Sequence, residues 1–263
     1  MNYLNKLYSY LLLSLISILF VNAHPATIKQ DIDWPQFMSQ QDMIWEKLPE
    51  YWYDSAFLGN GKLGLMIYKE PGKNYLRLET GNCDVHDHRT KRDVFGIPRL
   101  LTGHFALHPK GKIINGTMHL DLWNAEVSTD ITTTKGVIHL RSFVHADEMM
   151  IIVKATTEGD EHDFQWEWIA AEANSPRYLI FKRQGKANKI PKDYELNPTA
   201  KISNEKEVNL SVQKLLAGGE TSIGWQETHN PETERTLWIN LTHTYPQNLS
   251  LIHISEPTRL ALI

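Results

Sequence analysis

The sequence WYDSAFLGNGKLGLMIY, residues 52–68, changes character halfway along its length. Aromatic side chains crowd its first half. From Leu63 onward, apolar residues occupy every second position, as they do in a strand with one buried face. The stretch therefore predicts a strand in which Leu63, Leu65 and Ile67 are buried together.

The segment that leads into this strand predicts a tight turn. Glycine adopts positive φ without steric cost and asparagine tolerates the left-handed region, so we expect positive φ at Gly59 or Gly61. In the simpler interpretation, Asn60 only completes the turn. In the other, its side-chain amide lies at a rim where it binds a polar ligand.

The same period of two recurs along most of the chain. Turn residues separate the alternating segments, and helical periodicity is limited to residues 39–46. Residues 183–204 predict a long loop or a hairpin excursion. The predicted strands are 62–68, 75–79, 103–108, 117–123, 126–133, 137–145, 149–156, 164–169, 207–215, 222–226 and 236–243. This pattern predicts an all-β protein, a large antiparallel β-sandwich with few short helices.

Composition limits the classes of function. The 263 residues carry a formal net charge of -4, which argues against a polybasic nucleic-acid binder. A single cysteine, Cys83, allows no intrachain disulfide, so the core must hold the fold. P-loop, dinucleotide-binding and zinc-finger motifs are absent from the sequence, so we expect no cofactor.

The first 23 residues are typical of a secretion signal. Lys6 precedes the apolar residues 11–20, and Val21 and Ala23 occupy the small-residue positions before a cleavage site. We expect cleavage after Ala23 and a secreted or periplasmic protein that does not contact the membrane. A membrane anchor is the competing interpretation, but the apolar run is short for a hydrocarbon layer about 30 Å thick.

The motif NCDVHDHR, residues 82–89, concentrates polar groups. Its candidate binding residues are Asp84, His86, Asp87, His88 and Arg89. In an extended chain Asp84, His86 and His88 would share one face, as metal ligands do. The positive charge at Arg89 and beyond argues against a metal. We expect a polar loop whose side chains bind each other or sugar hydroxyls, with an unliganded surface loop as the alternative.

The motif HLDLWNAEV, residues 119–127, predicts a strand with one apolar face. Leu120 and Leu122 would face the core, and Trp123 would lie on the opposite face. There its ring can stack on a pyranose. The simpler interpretation is that Trp123 packs within the sandwich.

Residues 52–68 resemble the start of the N-terminal β-sandwich of glycoside hydrolase family 95, the inverting α-L-fucosidases and α-L-galactosidases. They resemble family 65 more distantly. A closer resemblance is to bacterial exported proteins in which LRLETGNCDVHDHR and MHLDLWNAEV follow, here residues 76–89 and 118–127. The resemblance covers most of residues 34–145, and the chain departs from the family 95 pattern after Glu79.

This resemblance implies the sandwich domain of an exported glycoside hydrolase that acts on a glycan. It also implies that the two catalytic carboxyl groups lie in an (α/α) barrel following the sandwich, so we assign no catalytic residue here and expect this chain to be inactive alone. The predicted substrate-binding residues are Asn60, Asp84, His86, Asp87, His88, Arg89 and Trp123. The alternatives are a stand-alone carbohydrate-binding module and the sandwich of a sugar phosphorylase.

The last residues, SLIHISEPTRLALI at 250–263, resemble the translated adapter read-through found at the ends of unrelated metagenome-derived reading frames. A genuine short strand is the alternative, but Pro257 breaks its alternation. We expect a non-native tail that packs poorly, a sandwich domain at residues 24–249, and a gene that continues into the barrel.

Overall fold

The structure is a computed structural model that describes residues 32–87, 89, 95, 98–205, 207–229 and 234–244. The chain divides into two units, Met1–Phe37 and Met38–Ile263. The predicted signal peptide and the predicted tail lie outside the described residues. Within the described part of the chain, no helix has the length and apolar character needed to cross a membrane.

Strands make up about half of the described residues of the second unit. The strands are β1 Met43–Trp45, β2 Ala56–Gly59, β3 Leu63–Lys69, β4 Leu76–Asn82, β5 Gly103–His108, β6 Ile113–Asp121, β7 Glu126–Thr133, β8 Gly136–Val144, β9 Met150–Gly159, β10 Gln165–Ala170, β11 Lys201–Glu205, β12 Val208–Lys214, β13 Glu220–His229 and β14 Arg235–Thr244. The described helices are α1 Trp34–Ser39 and α2 Pro176–Arg183, with 3₁₀ turns at Trp52–Asp54 and Ala187–Lys189.

These strands form two sheets with antiparallel pairing throughout. A nine-stranded sheet has the order β1-β6-β7-β8-β9-β14-β13-β12-β11, and a five-stranded sheet has the order β10-β5-β4-β3-β2. Apolar side chains from both sheets form one large core. The predicted class, an all-β antiparallel sandwich, is confirmed.

The opening stretch forms β2, a turn and β3. Leu63, Leu65 and Ile67 are buried in the large core, as predicted. Gly61 has φ +89°, so the expected positive φ lies at this glycine. At Gly59 the reason for glycine is space, because a Cβ there would lie 2.9 Å from the carbonyl oxygen of Leu63.

An aromatic group packs between the two sheets. We call Phe105, Trp168 and Trp225 the core cluster. Phe105 and Trp168 are cross-strand partners with ring centroids 4.9 Å apart, and Trp225 lies 5.6 Å from Phe105. Beside them, Gly103 leaves room for the indole, since a Cβ at Gly103 would lie 2.6 Å from the Trp168 ring.

The prediction of a helix at residues 39–46 is wrong. The helix ends at Ser39, and Asp33 accepts a hydrogen bond from the backbone N–H of Gln36 at 3.1 Å, as an N-cap does. Met43–Trp45 instead form the edge strand β1, which pairs with β6. Long-range pairing overrides a weak local helical preference in this segment.

The strand predicted at residues 117–123 ends two residues early. The Asp121 carboxylate accepts two hydrogen bonds from Asn124, at 2.9 and 2.7 Å, and these close a turn after β6. Leu122 is consequently exposed and does not join the core as expected. Local Asx turn chemistry ends the apolar alternation here.

The polar excursion at residues 183–204 is partly ordered into regular elements. Its start is the end of α2, and its last residues belong to β11, which pairs with β12 as one arm of a hairpin. All five residues of β11 are exposed, so this strand lacks the apolar face by which alternation is recognised.

Candidate functional site

The three sequence motifs lie at one end of the sandwich, which we call the loop end. It contains the β2–β3 turn, the β4–β5 loop and the β6–β7 turn. The backbone N–H of Cys83 donates to the carbonyl of Lys62 at 2.9 Å, joining the first two. The last described residue, Thr244, pairs with Glu220 beside the β12–β13 turn, at the same end. The sandwich thus places Asn60, residues 84–87, Arg89 and Trp123 at the same end.

Asn60 uses its whole side-chain amide within the protein. Its Nδ2 donates to the carbonyls of His145 and Glu148, at 2.9 and 3.2 Å. Its Oδ1 accepts from the backbone N–H groups of Lys62 and Leu63, at 3.0 and 2.8 Å. Asn60 therefore shapes the β2–β3 turn and ties it to the β8–β9 turn of the other sheet.

The β4–β5 loop begins with a turn. The backbone N–H of Asp84 donates to Asn82 Oδ1 at 2.8 Å, and His86 Nε2 donates to the carbonyl of Cys83 at 2.8 Å. Burial, and then the neighbouring Asp84 carboxylate, raise the pKa of the Cys83 thiol. A raised pKa makes this thiol a poor nucleophile.

Asp87 and Arg89 form a largely buried ion pair. Arg89 Nε donates to Asp87 Oδ1 at 2.9 Å, and the Asp87 side chain is fully buried. Arg89 also donates to the carbonyl of Glu195, and its guanidinium lies 4.8 Å from the ring centroid of Tyr194. The pair fastens the β4–β5 loop to the segment that follows α2.

The expected bonding between Asp and Arg side chains is therefore present in this loop. His88 lies outside the described residues. Among the residues that the structure describes, no group of three or more His, Cys, Asp or Glu side chains is placed to hold a metal ion.

Trp123 stands in the β6–β7 turn, with 51% of its surface exposed. It is therefore not packed within the sandwich, and its ring is open to a ligand. It is the most accessible of the predicted site residues that the structure describes.

A second site, which the sequence did not single out, is an aromatic groove of about 1550 Å³. It lies along the edge of the sandwich, between β1 and β6 on one side and β2 and β3 on the other. Its aromatic lining residues are Trp45, Tyr51, Trp52, Tyr53 and Phe57. Tyr51, Trp52 and Tyr53 are exposed by 51, 63 and 62%.

These rings are arranged as a preformed group. Tyr51 and Tyr53 stack in parallel, with centroids 5.2 Å apart and planes at 4°. Trp52 meets Tyr53 edge-on at 5.7 Å. Trp45 Nε1 donates to the carbonyl of Asp54 at 2.8 Å, which ties the 3₁₀ turn to β1.

Two features of β6 form the floor of the groove. Gly116 lets Leu48 approach, because a Cβ at Gly116 would lie 2.8 Å from Leu48 Cγ. A register shift between Ile113 and Asn115 marks a bulge, and Ile114 is 65% exposed. Leu48 is buried, so it anchors the segment that carries the three exposed rings.

A sequence signal for the groove exists in the density of aromatics in YWYDSAF, residues 51–57. The residue types alone do not distinguish packed rings from exposed ones, because aromatics serve both purposes. The 3₁₀ turn at Trp52–Asp54 keeps these rings out of the strand alternation that would place every second one inside.

The outer face of the five-stranded sheet carries a shielded polar group. Tyr68 donates to Glu79 at 2.8 Å, and Arg77 Nε donates to the same carboxylate at 3.1 Å. Burial, followed by the hydrogen bond to Glu79, raises the pKa of Tyr68 far above its usual value.

His104 lies next to this group, stacked 6.2 Å from the ring of Tyr75. Burial, and then the positive charge of Arg77, lower the pKa of His104 from 6.5 to about 4. Its Nε2 is buried and has no hydrogen-bond partner among the described residues. The neutral ring is therefore the form that this face accommodates.

Fold and site together define a two-sheet antiparallel β-sandwich with a loop end and an exposed aromatic groove. No family model matches the chain, and no curated protein matches it. Among solved structures, it is similar to one described as "Putative kojibiose phosphorylase from human microbiome", with a TM-score of 0.43 and 12% identity. The match covers 74% of this chain and 28% of that one.

Proposed function

We propose that this chain is the N-terminal β-sandwich domain of an exported carbohydrate-processing enzyme, a glycoside hydrolase of the α-L-fucosidase and α-L-galactosidase kind or a sugar phosphorylase. The observation that carries the proposal is that the three motifs lie at the same end of the sandwich, the loop end. The β2–β3 turn, the β4–β5 loop and the β6–β7 turn are far apart in sequence, and each belongs to a stretch that supports the family resemblance.

In this proposal the loop end faces a catalytic (α/α) barrel. The contacts of Asn60 and the Asp87–Arg89 pair give the loop end a fixed shape, as a wall beside a pocket requires. Trp123 is the exposed ring that this wall offers to a sugar. Inverting hydrolysis needs two carboxyl groups about 6.5–9.5 Å apart, and the proposal places that pair in the barrel.

The test compares two proteins made from the natural locus, after resequencing past the codon for Leu249. The full-length product and the present chain are assayed on aryl α-L-fucosides, aryl α-L-galactosides and glucose disaccharides, with and without phosphate. We expect turnover by the full-length protein alone, and phosphate dependence would identify a phosphorylase. Robust turnover by the present chain, or a genomic stop codon directly after Ile263, would contradict the proposal.

A second candidate is a stand-alone carbohydrate-binding module. The aromatic groove favours it, because exposed rings on a rigid scaffold are what such a module needs. A genomic stop after Ile263, together with glycan binding by this chain, would support this candidate over the first.

A further inference from the structure

From the contacts of the aromatic groove we infer that it binds an extended, neutral oligosaccharide at a site separate from the loop end. The inference rests on the proposed function for the class of ligand, a glycan. The groove itself supplies the location, the residues and the kind of glycan.

The rings provide the stacking surface. One face of a pyranose is lined by C–H groups, which pack on a flat aromatic ring, while its hydroxyls point outward at the edge. The parallel stack of Tyr51 and Tyr53 and the edge-on contact of Trp52 support one another, so the rings are held before a ligand arrives. Preorganised aromatic contacts lose little conformational entropy on binding.

Polar groups line the groove together with the rings. Glu46, Lys47, Asp54 and Asn115 line it together with the aromatic side chains. The centre of a protein–protein interface is depleted of charged residues. A lining that mixes exposed rings with carboxylates, an ammonium and an amide suits a ligand with both C–H faces and hydroxyls, and this favours a sugar over a second protein.

The charge of the groove favours a neutral glycan. Lys69 pairs with Glu50 at 3.0 Å, so these two lining charges compensate each other. The remaining charged lining residues are the carboxylates of Glu46 and Asp54 and the ammonium group of Lys47, so the net charge of the lining is negative. A polyanionic glycan such as a sulfated or uronic-acid chain would meet more carboxylates than ammonium groups, which disfavours its binding.

The size of the groove favours an extended chain. Pockets for small ligands enclose about 300–1,000 Å³, whereas this groove measures about 1550 Å³. A single sugar would leave most of the lining in water. Several consecutive pyranose units can reach both the ring group near Tyr53 and the bulge at Ile114.

The experiment is isothermal titration calorimetry of the purified chain with soluble hexasaccharides of α-1,4-glucose, β-1,4-glucose and β-1,4-xylose. A hexasaccharide of α-1,4-galacturonic acid is the anionic control. We expect at least one neutral probe to bind and the anionic probe to bind more weakly. Trp52→Ala and Tyr53→Ala should each weaken binding about tenfold, the loss of roughly one stacked ring.

Trp238→Ala serves as the matched control, because it removes an exposed tryptophan from the outer face of the nine-stranded sheet, outside both proposed sites. It should leave the affinity for the neutral probe unchanged. Trp123→Ala removes the exposed ring of the loop end, and it shows whether a probe binds there instead of in the groove. Circular dichroism and the midpoint of thermal unfolding check that all four variants are folded.

Three outcomes would overturn the inference: no neutral probe binds, binding survives both groove substitutions, or Trp123→Ala abolishes it. These outcomes are separable from a failure of the proposed function. An active full-length enzyme whose sandwich binds no probe would retain the proposed function and remove the groove site. An inactive full-length protein whose groove binds a neutral probe would contradict the proposed function and support the groove site.

Discussion

Two groups of aromatic side chains in this protein have similar chemistry and different surroundings. The core cluster, with Phe105 at its centre, lies between the two sheets, where Phe105 is fully buried. The ring group of the aromatic groove, Tyr51, Trp52 and Tyr53, also makes ring-to-ring contacts, but more than half of the surface of each residue is exposed. Ring contacts by themselves therefore do not separate a buried structural cluster from rings that are accessible to a ligand, whereas burial does.

The largest effect is expected from removing the centre of the core cluster. Phe105→Ala should lower the free energy of unfolding by about 3–5 kcal/mol, because it removes buried apolar surface and leaves a cavity between Trp168 and Trp225. Urea unfolding followed by tryptophan fluorescence measures the change. Phe57→Ala in the groove is the matched control, and a loss as large as that of Phe105→Ala would break the comparison.

A smaller loss is expected at the glycine that accommodates Trp168. Gly103→Ala should cost about 1–3 kcal/mol, because the new Cβ would lie 2.6 Å from the indole and the backbone has φ +141°. Gly72→Ala separates the two causes, since Gly72 has φ +70° and nothing within 4 Å of a new Cβ. Equal effects in the two variants would mean that crowding of the new Cβ against Trp168 and against the Ile169 carbonyl oxygen, 2.7 Å away, contributes nothing.

The stacked pair of Tyr75 and His104 lies on the opposite face of β5 from Phe105, and it should make the stability of the fold depend on pH. The pKa of His104 falls from 6.5 to about 4 on folding, so the folded state binds fewer protons than the unfolded state between these values. Its contribution to stability is complete above about pH 6.5 and is lost progressively as the pH falls towards 4.

Unfolding measured from pH 7.5 down to pH 4 tests this expectation. His104→Phe keeps an aromatic ring beside Tyr75 and removes the titration, so its stability should fall less steeply with decreasing pH than that of the parent. The difference between the two slopes isolates His104 from the other histidines. Parallel slopes would contradict a buried, neutral His104.

The smallest effect on stability is expected in the groove. Trp52→Ala should change the free energy of unfolding by no more than about 0.5 kcal/mol, because the ring is 63% exposed and outside the core. Thermal and urea unfolding measure this directly. A loss of several kcal/mol would assign Trp52 to the scaffold and blur its distinction from Phe105.

The sequence by itself determined the fold class and most of the strands. The predicted strands at residues 103–108 and 126–133 coincide with β5 and β7, and the burial of Leu63, Leu65 and Ile67 followed from alternation. Successive side chains of a strand point to opposite faces, so the alternation of apolar and polar residues in a half-buried strand predicts which side chains are buried. The positive φ at Gly61 is equally local, because it follows from turn chemistry.

Only the tertiary structure decided which side chains are available to a ligand. The sequence left open whether Asn60 only completes its turn or offers its amide to a ligand, and in the structure its amide contacts go to its own turn and to the β8–β9 turn of the other sheet. Tyr51 and Trp168 are both aromatic residues near alternating segments, yet one is exposed and the other buried. Exposure depends on segments distant in sequence, such as Leu48 packing against Gly116, and no local period records those contacts.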